Sequence, residues 1–220
     1  PEVLEGAGGS TLVVFDSEAK PFSLVDEVVP FQSVLSRFGY PVKTLSADEV
    51  TAADFDAAAR IIVVGVAGVP APDADWWDDL RTTSKPVLGA GWAAARIAGR
   101  NTRGGTVPNP AGNATVRCRG ASWSTGLDPF FHVATNNATS LAMAMDDDGA
   151  WNLAWREDNR FGFAALPGDG PLAMILSDVL VDFHGRTATG PSGIVFVLEN
   201  YHPGSDPAAL RRITDYLSHK

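Results

Sequence analysis

Lys85-Pro-Val-Leu-Gly-Ala-Gly-Trp-Ala-Ala-Ala-Arg-Ile-Ala98 reads as a buried strand, a tight glycine turn and a helix. Val87 and Leu88 supply the apolar run. Gly89 and Gly91 permit a sharp corner, because without a Cβ a positive φ costs little. The residues after Trp92 are good helix formers. Open α/β enzymes often put a nucleophile at such a corner. Here the point of the turn carries none.

Outward from this corner, the N-terminal part alternates strands and helices. Thr11–Phe15 is a short apolar run rich in β-branched residues and predicts a buried parallel strand. Asp16 and Ser17 follow at its carboxyl end, where open α/β sheets bind ligands. They are candidate ligand-binding residues, set against the simpler reading that Asp16 only ends the strand. A helix is expected over Leu24–Phe38, with Val25, Val28, Val29, Gln32, Leu35 and Phe38 on one stripe, Pro30 starting or kinking its regular part, and Gly39 ending it. Further strands are expected at Pro41–Leu45, Arg60–Val64 and Lys85–Ala90. A polar connection joins the first two of these, and a short helix over Asp73–Thr82 precedes the third. This alternation predicts an α/β fold, a flavodoxin-like parallel sheet with helices on both faces.

The corner resembles the nucleophile elbow of class I glutamine amidotransferases, whose pattern is an apolar strand, Gly-x-Cys-x-Gly, then a helix. Gly89 stands on the first glycine, Gly91 on the cysteine and Ala93 on the second glycine. That family's His-x-Glu pair is also missing. Two residues after His132, His184 and His202 come Ala134, Arg186 and Gly204, and the chain has no residue at that distance from His219. The resemblance covers the first hundred residues or so, implies an amidotransferase-like sheet, and argues against glutaminase activity. No catalytic residue is assigned.

After Arg100 the texture changes. Asn101–Gly112 is rich in glycine and proline and reads as a boundary. Strand-like runs follow at Thr115–Cys118, Phe130–Val133, Ser140–Met145, Ala150–Trp155 and Arg160–Phe163, with Asp146-Asp-Asp-Gly149 as a hairpin turn. They predict an antiparallel β-rich section over 101–170, inserted in or appended to the α/β region of 1–100. Pro171–Phe183 then predicts a helix with Leu172, Ile175, Leu176, Val179, Leu180 and Phe183 on one stripe. A strand at Ile194–Leu198 and a helix at Asp206–Ser218 follow, so 171–220 is a helix-strand-helix section that either completes the domain or begins a deacetylase-like one.

That last section carries a second resemblance. Val197-Leu-Glu-Asn-Tyr-His-Pro-Gly-Ser-Asp-Pro, with the residues up to Leu217, is similar to the opening of polysaccharide-deacetylase-like proteins, where an apolar strand runs into Glu-Asp-Val-His-Pro and then Ser-Asp-Pro. Many members carry an amidotransferase-like domain first. Glu199, His202, Pro203, Ser205, Asp206 and Pro207 match the pattern, and Asn200 replaces the metal-side Asp, a poorer ligand. The resemblance implies a catalytic deacetylase domain beyond Lys220 as partner, a cell-surface polysaccharide as target, and an extracellular or cell-envelope location.

Composition bounds the remaining choices. In 220 residues, 45% are hydrophobic and 20% charged, ordinary for a globular protein, and the net charge of −9 makes nucleic acid an unfit partner. No apolar run is long enough for a membrane helix. The single cysteine, Cys118, excludes an intrachain disulfide and reads as a structural thiol. Asp178, Asp182, His184 and His202 lack the spacing of a helical zinc site, so no metal or other cofactor is expected. Six tryptophans suit either core packing or sugar stacking. Trp92, at the ligand edge of the sheet, and Trp76, beside Trp77 on one short helix, are the candidates for an exposed sugar-binding ring. The leading expectation is a non-catalytic, glycan-binding accessory domain. The alternatives are a divergent hydrolase using the sheet's carboxyl edge and a protein-interaction module.

Overall fold

A computed structural model describes residues 9–15, 28–36, 41–65, 76–98, 114–124, 130–133, 135, 137–165 and 171–185. These all belong to one compact unit, Pro1–Thr187; the remaining unit, Ala188–Lys220, lies outside the described residues, and with it the expected strand at Ile194–Leu198 and helix at Asp206–Ser218.

Four strands come first: β1 (Thr11–Phe15), β2 (Val42–Ser46), β3 (Arg60–Gly65) and β4 (Val87–Gly91). Between and after them stand helices α1 (Val29–Ser36), α2 (Ala52–Ala57), α3 (Trp76–Thr82) and α4 (Trp92–Ile97). The rest comprises β5 (Thr115–Cys118), β6 (Ala121–Ser124), β7 (Thr139–Asp146), β8 (Gly149–Glu157), β9 (Arg160–Phe163) and helix α5 (Pro171–Phe183). All nine strands form one sheet in the order β2-β1-β3-β4-β9-β8-β7-β5-β6.

The parallel part runs β2-β1-β3-β4-β9, which is the flavodoxin-like order with β9 in fifth place. Period-two alternation divides its side chains between two cores. Val13, Ile62, Val64, Leu88 and Ala90 face α1 and α5, whereas Leu12, Val14, Ile61, Val63 and Val87 face α2, α3 and α4. Helices therefore cover both faces, as the alternating pattern predicts.

The β-rich section is antiparallel from β5 to β8 and continues the same sheet as the parallel strands. β9 pairs parallel with β4 on one edge and antiparallel with β8 on the other, so it welds the two halves into one sheet. The start of β9 is also clamped to the approach of β4. Asn159 Nδ2 donates to Lys85 O at 2.9 Å, and the Arg160 guanidinium donates to Lys85 O at 3.0 Å and to Thr83 O at 2.7 Å. Helix α5 packs its Leu172, Ile175, Leu176, Val179, Leu180 and Phe183 stripe on this sheet, as its periodicity foretells.

Other elements differ from the sequence reading. Phe130–Val133 forms no strand; Phe130 makes an isolated bridge to Ala165, and Phe131 N donates to Ala164 O at 2.6 Å. Ala121–Ser124 forms β6, although Ala-Ser-Trp-Ser has no apolar run to announce it. Of the helix expected over Leu24–Phe38, the described part is Val29–Ser36, with Pro30 in its first turn, where the missing N–H is harmless.

Candidate functional site

At the carboxyl end of β4, Gly91 turns the chain into α4 with φ 63° and ψ −136°. This is the left-handed, strained strand-to-helix corner that a nucleophile elbow requires, and glycine meets it at least cost. Gly91 N donates to Ala165 O at 3.1 Å, which fixes the corner against the chain leaving β9. The frame of the elbow is present. The side chain that would attack a carbonyl is not.

Trp92 shows what occupies the space instead. Its side chain is buried, with the residue only 5% exposed, and its ring meets Trp77 at 5.6 Å between centroids. The ring lies against Gly65 at the end of β3, so closely that a Cβ on Gly65 would overlap it. An exposed stacking ring at Trp92 was expected; the structure corrects this, because the missing side chain at Gly65 makes a slot that the indole fills. Trp76 is half-buried, packed against Trp77 at 4.5 Å and Phe55 at 5.7 Å between centroids. Trp77 is buried and carries the Arg96 guanidinium 5.0 Å from its ring centre. Thus the Trp76–Trp77 pair divides between an inner ring and a partly exposed one, as adjacent helix positions must. Asp16 and Ser17 lie outside the described residues.

Sheet order, elbow and two-sided helices together decide the class of architecture. The fold is amidotransferase-like. No family model matches the chain, and no curated protein sequence matches it. Among solved structures, a ThuA-like protein of Bacteroides uniformis superposes with a TM-score of 0.57 at 11% identity, over 80% of this chain and 91% of that one. A glutamine amidotransferase of Thermotoga maritima superposes with a TM-score of 0.47 at 9% identity, over 81% and 83%. At 11% identity the ThuA-like likeness is one of fold alone.

The amidotransferase-like sheet carries one polar cluster that sequence reasoning missed. His132 Nε2–H donates to Asp146 Oδ2 at 2.8 Å, and its ring stacks on Trp151 with 4.2 Å between centroids and 4° between planes. Asp146 Oδ1 accepts from Trp151 Nε1 at 3.1 Å and from the backbone N–H groups of Asp148 and Gly149 at 3.0 and 3.1 Å. Burial of Asp146 works to raise its pKa, but the hydrogen bonds from Trp151 and His132 outweigh it, and the carboxyl stays below its ordinary range. His132, Asp146 and Asp148 bring donor atoms within 4.8 Å of one another. However, both Asp146 oxygens are already engaged, so the group reads as a brace that locks the β7–β8 hairpin to the segment before β7. In sequence it shows only as a histidine upstream of an Asp-rich turn, a weak signal.

Of the other titratable candidates, His202 lies outside the described residues, and His184 faces away from Asp178 and Asp182. His184 is 4% exposed; its Nδ1–H donates to Leu180 O at 2.8 Å, and Nε2 faces Thr11 Oγ1 at 3.5 Å. It therefore points into the sheet, whereas Asp178 and Asp182 line a cavity beside Cys118. Burial first, then the Asp178 charge, push the Cys118 thiol upward, so it remains protonated at neutral pH. Such a thiol is a poor nucleophile, in keeping with its reading as structural.

Proposed function

We propose that this chain is a non-hydrolytic amidotransferase-like domain that serves as an accessory to a polysaccharide-deacetylase-like enzyme at the cell surface. The observation that carries the first half is the elbow itself. Gly91 holds the strained corner without a nucleophile, and Trp92 fills the slot over Gly65 beside it. A thioester route needs a thiolate with a base beside it; the one cysteine, Cys118, is on β5 and protonated. The deacetylase half rests on the likeness of Val197–Leu217 to the opening of that family.

In this role the domain holds or steers a catalytic partner and makes no covalent intermediate. The test compares the full-length natural protein with a version lacking residues 1–187, on a polymeric and on a short soluble acetylated amino sugar. The accessory role predicts a loss on the polymer with little change on the short substrate. Equal activity of both proteins on both substrates, or a natural protein without any deacetylase domain, would contradict it.

A further inference from the structure

The sheet ends at β2 on one side and at β6 on the other, and the two ends are guarded differently. β2 follows Pro41 and carries Lys43, residue types that discourage a further strand from adding on. β6 is Ala-Ser-Trp-Ser, with neither a proline nor a charge.

The β5–β6 turn decides which backbone groups of β6 are open. Its two-residue loop, Arg119-Gly120, has φ 48° and 82°, positive at both positions as in a type I′ hairpin. Cys118 and Ala121 flank the loop as the closing hydrogen-bonded pair, and antiparallel pairs alternate from there. The N–H and C=O groups of Ser122 and Ser124 therefore point away from β5. Both residues are exposed, and neither has a further hydrogen-bond partner among the described residues.

Side chains give this edge a charge preference. Val116, Ala142 and Ala144 pack toward α5, so the alternate residues of β5 and β7 face the other way. On that face the register sets Ser122 beside Arg117 and Met143, and Ser124 beside Thr115 and Met145. Neither row holds a carboxylate. Arg117 is exposed and has no hydrogen-bond or ion-pair partner among the described residues, whereas Arg119 is engaged by Asp178 at 3.3 Å. A strand added beyond β6 would lie two strand spacings from Arg117, roughly 9–10 Å. Arginine and a facing glutamate span that gap together, over the small side chain of Ser122.

We infer that the β6 edge takes up an extended acidic segment of another protein as an added strand, its backbone on Ser122 and Ser124 and a carboxylate on Arg117. The four residues of β6 offer few backbone bonds, so the ion pair decides which segment binds. The net charge of −9 works against an acidic partner at long range, so the contact is one of short range.

The test uses the 220-residue chain and two extended peptides, one alternating valine with glutamate and one alternating valine with lysine. Binding is followed by fluorescence anisotropy at about 0.15 M salt, where charges beyond ~8 Å are screened, and by amide hydrogen exchange. The glutamate peptide should bind and slow exchange at Ser122 and Ser124, with the lysine peptide at least ~tenfold weaker, the scale of one charged hydrogen bond. Ser122→Pro removes an outward N–H and leaves the β5 ladder intact, so it should lose binding and keep its melting temperature. Arg117→Glu, an exposed change, should reverse the preference between the peptides. Equal binding of the two peptides, no binding, protection that spares Ser122 and Ser124, or full binding by Ser122→Pro would overturn the inference. So would a dimer of the chain that Ser122→Pro dissociates, since a second copy would then occupy the edge. None of these readouts involves deacetylation, so the edge and the accessory role stand or fall separately.

Discussion

Trp92 and Gly65 are one structural decision made at two positions. The indole occupies the volume that a side chain on β3 would need. Gly65→Ala should cost ~1–3 kcal/mol by overpacking, and Trp92→Ala ~3–5 kcal/mol by leaving a cavity. In the Trp92→Ala background, adding Gly65→Ala should cost far less than alone. Urea denaturation of the four proteins measures that coupling, and simple additivity would mean the two residues do not share the slot. The thiol of Cys118 makes a second test at this scale. Because burial and Asp178 raise its pKa, its alkylation rate should rise with pH only above the range of an ordinary cysteine, near 8.5. Rapid labelling at neutral pH would refute the protonated thiol.

Among the elements, α2 and the β7–β8 hairpin depend on ionised carboxylates. Asp54, in the first turn of α2, accepts from Lys43 Nζ at 2.6 Å and from Thr51 N and Oγ1 at 2.9 and 2.7 Å. These bonds, led by Lys43, lower its pKa from 3.8 to about 2. A carboxyl depressed on folding adds stability that is fully present above its unfolded pKa and is lost as pH falls through the folded one. An NMR titration should place the Asp54 midpoint near 2, and Lys43→Met should move it up toward the ordinary value. Asp146 obeys the same sign, since its pKa is also lowered. Asp146→Ala should cost ~2 kcal/mol or more, because three buried or turn N–H donors and His132 lose their acceptor. Asp146→Asn should flatten the acid limb of the stability curve. An unchanged limb would mean that Asp146 is not held ionised by His132 and Trp151.

These elements also show where sequence is legible. β1 and α5 begin and end where their patterns put them, because a β-branched run and a 3.6-residue stripe are local signals. β6 was illegible because its partner β5, and not its own composition, makes it a strand. The burial of Trp92 was illegible for a similar reason: the slot is cut by a glycine 27 positions earlier in the chain, on the neighbouring strand. The missing nucleophile was legible, since it turns on the identity of one residue at the corner.

At the scale of the molecule, the decisive feature is that β9 belongs to both halves of the sheet. A chain cut after Arg100 leaves β4 with an unpaired edge and removes the clamps from Asn159 and Arg160. Residues 1–100 alone should therefore be aggregation-prone and lack a cooperative thermal transition. In the intact unit, far-UV circular dichroism and tryptophan fluorescence should trace one coincident unfolding curve. Two separated transitions would show that the parallel and antiparallel parts fold independently. Among the described residues, no helix is long and apolar enough to cross a membrane.

A silent elbow at the centre of an amidotransferase-like sheet is the claim on which the functional reading stands. The most direct measurement is ammonia release from glutamine by the purified chain, alongside a Gly91→Ala control that blocks the glycine-only corner. The silent elbow predicts no release above the buffer blank from either protein. Release by the wild-type chain that Gly91→Ala abolishes would contradict it.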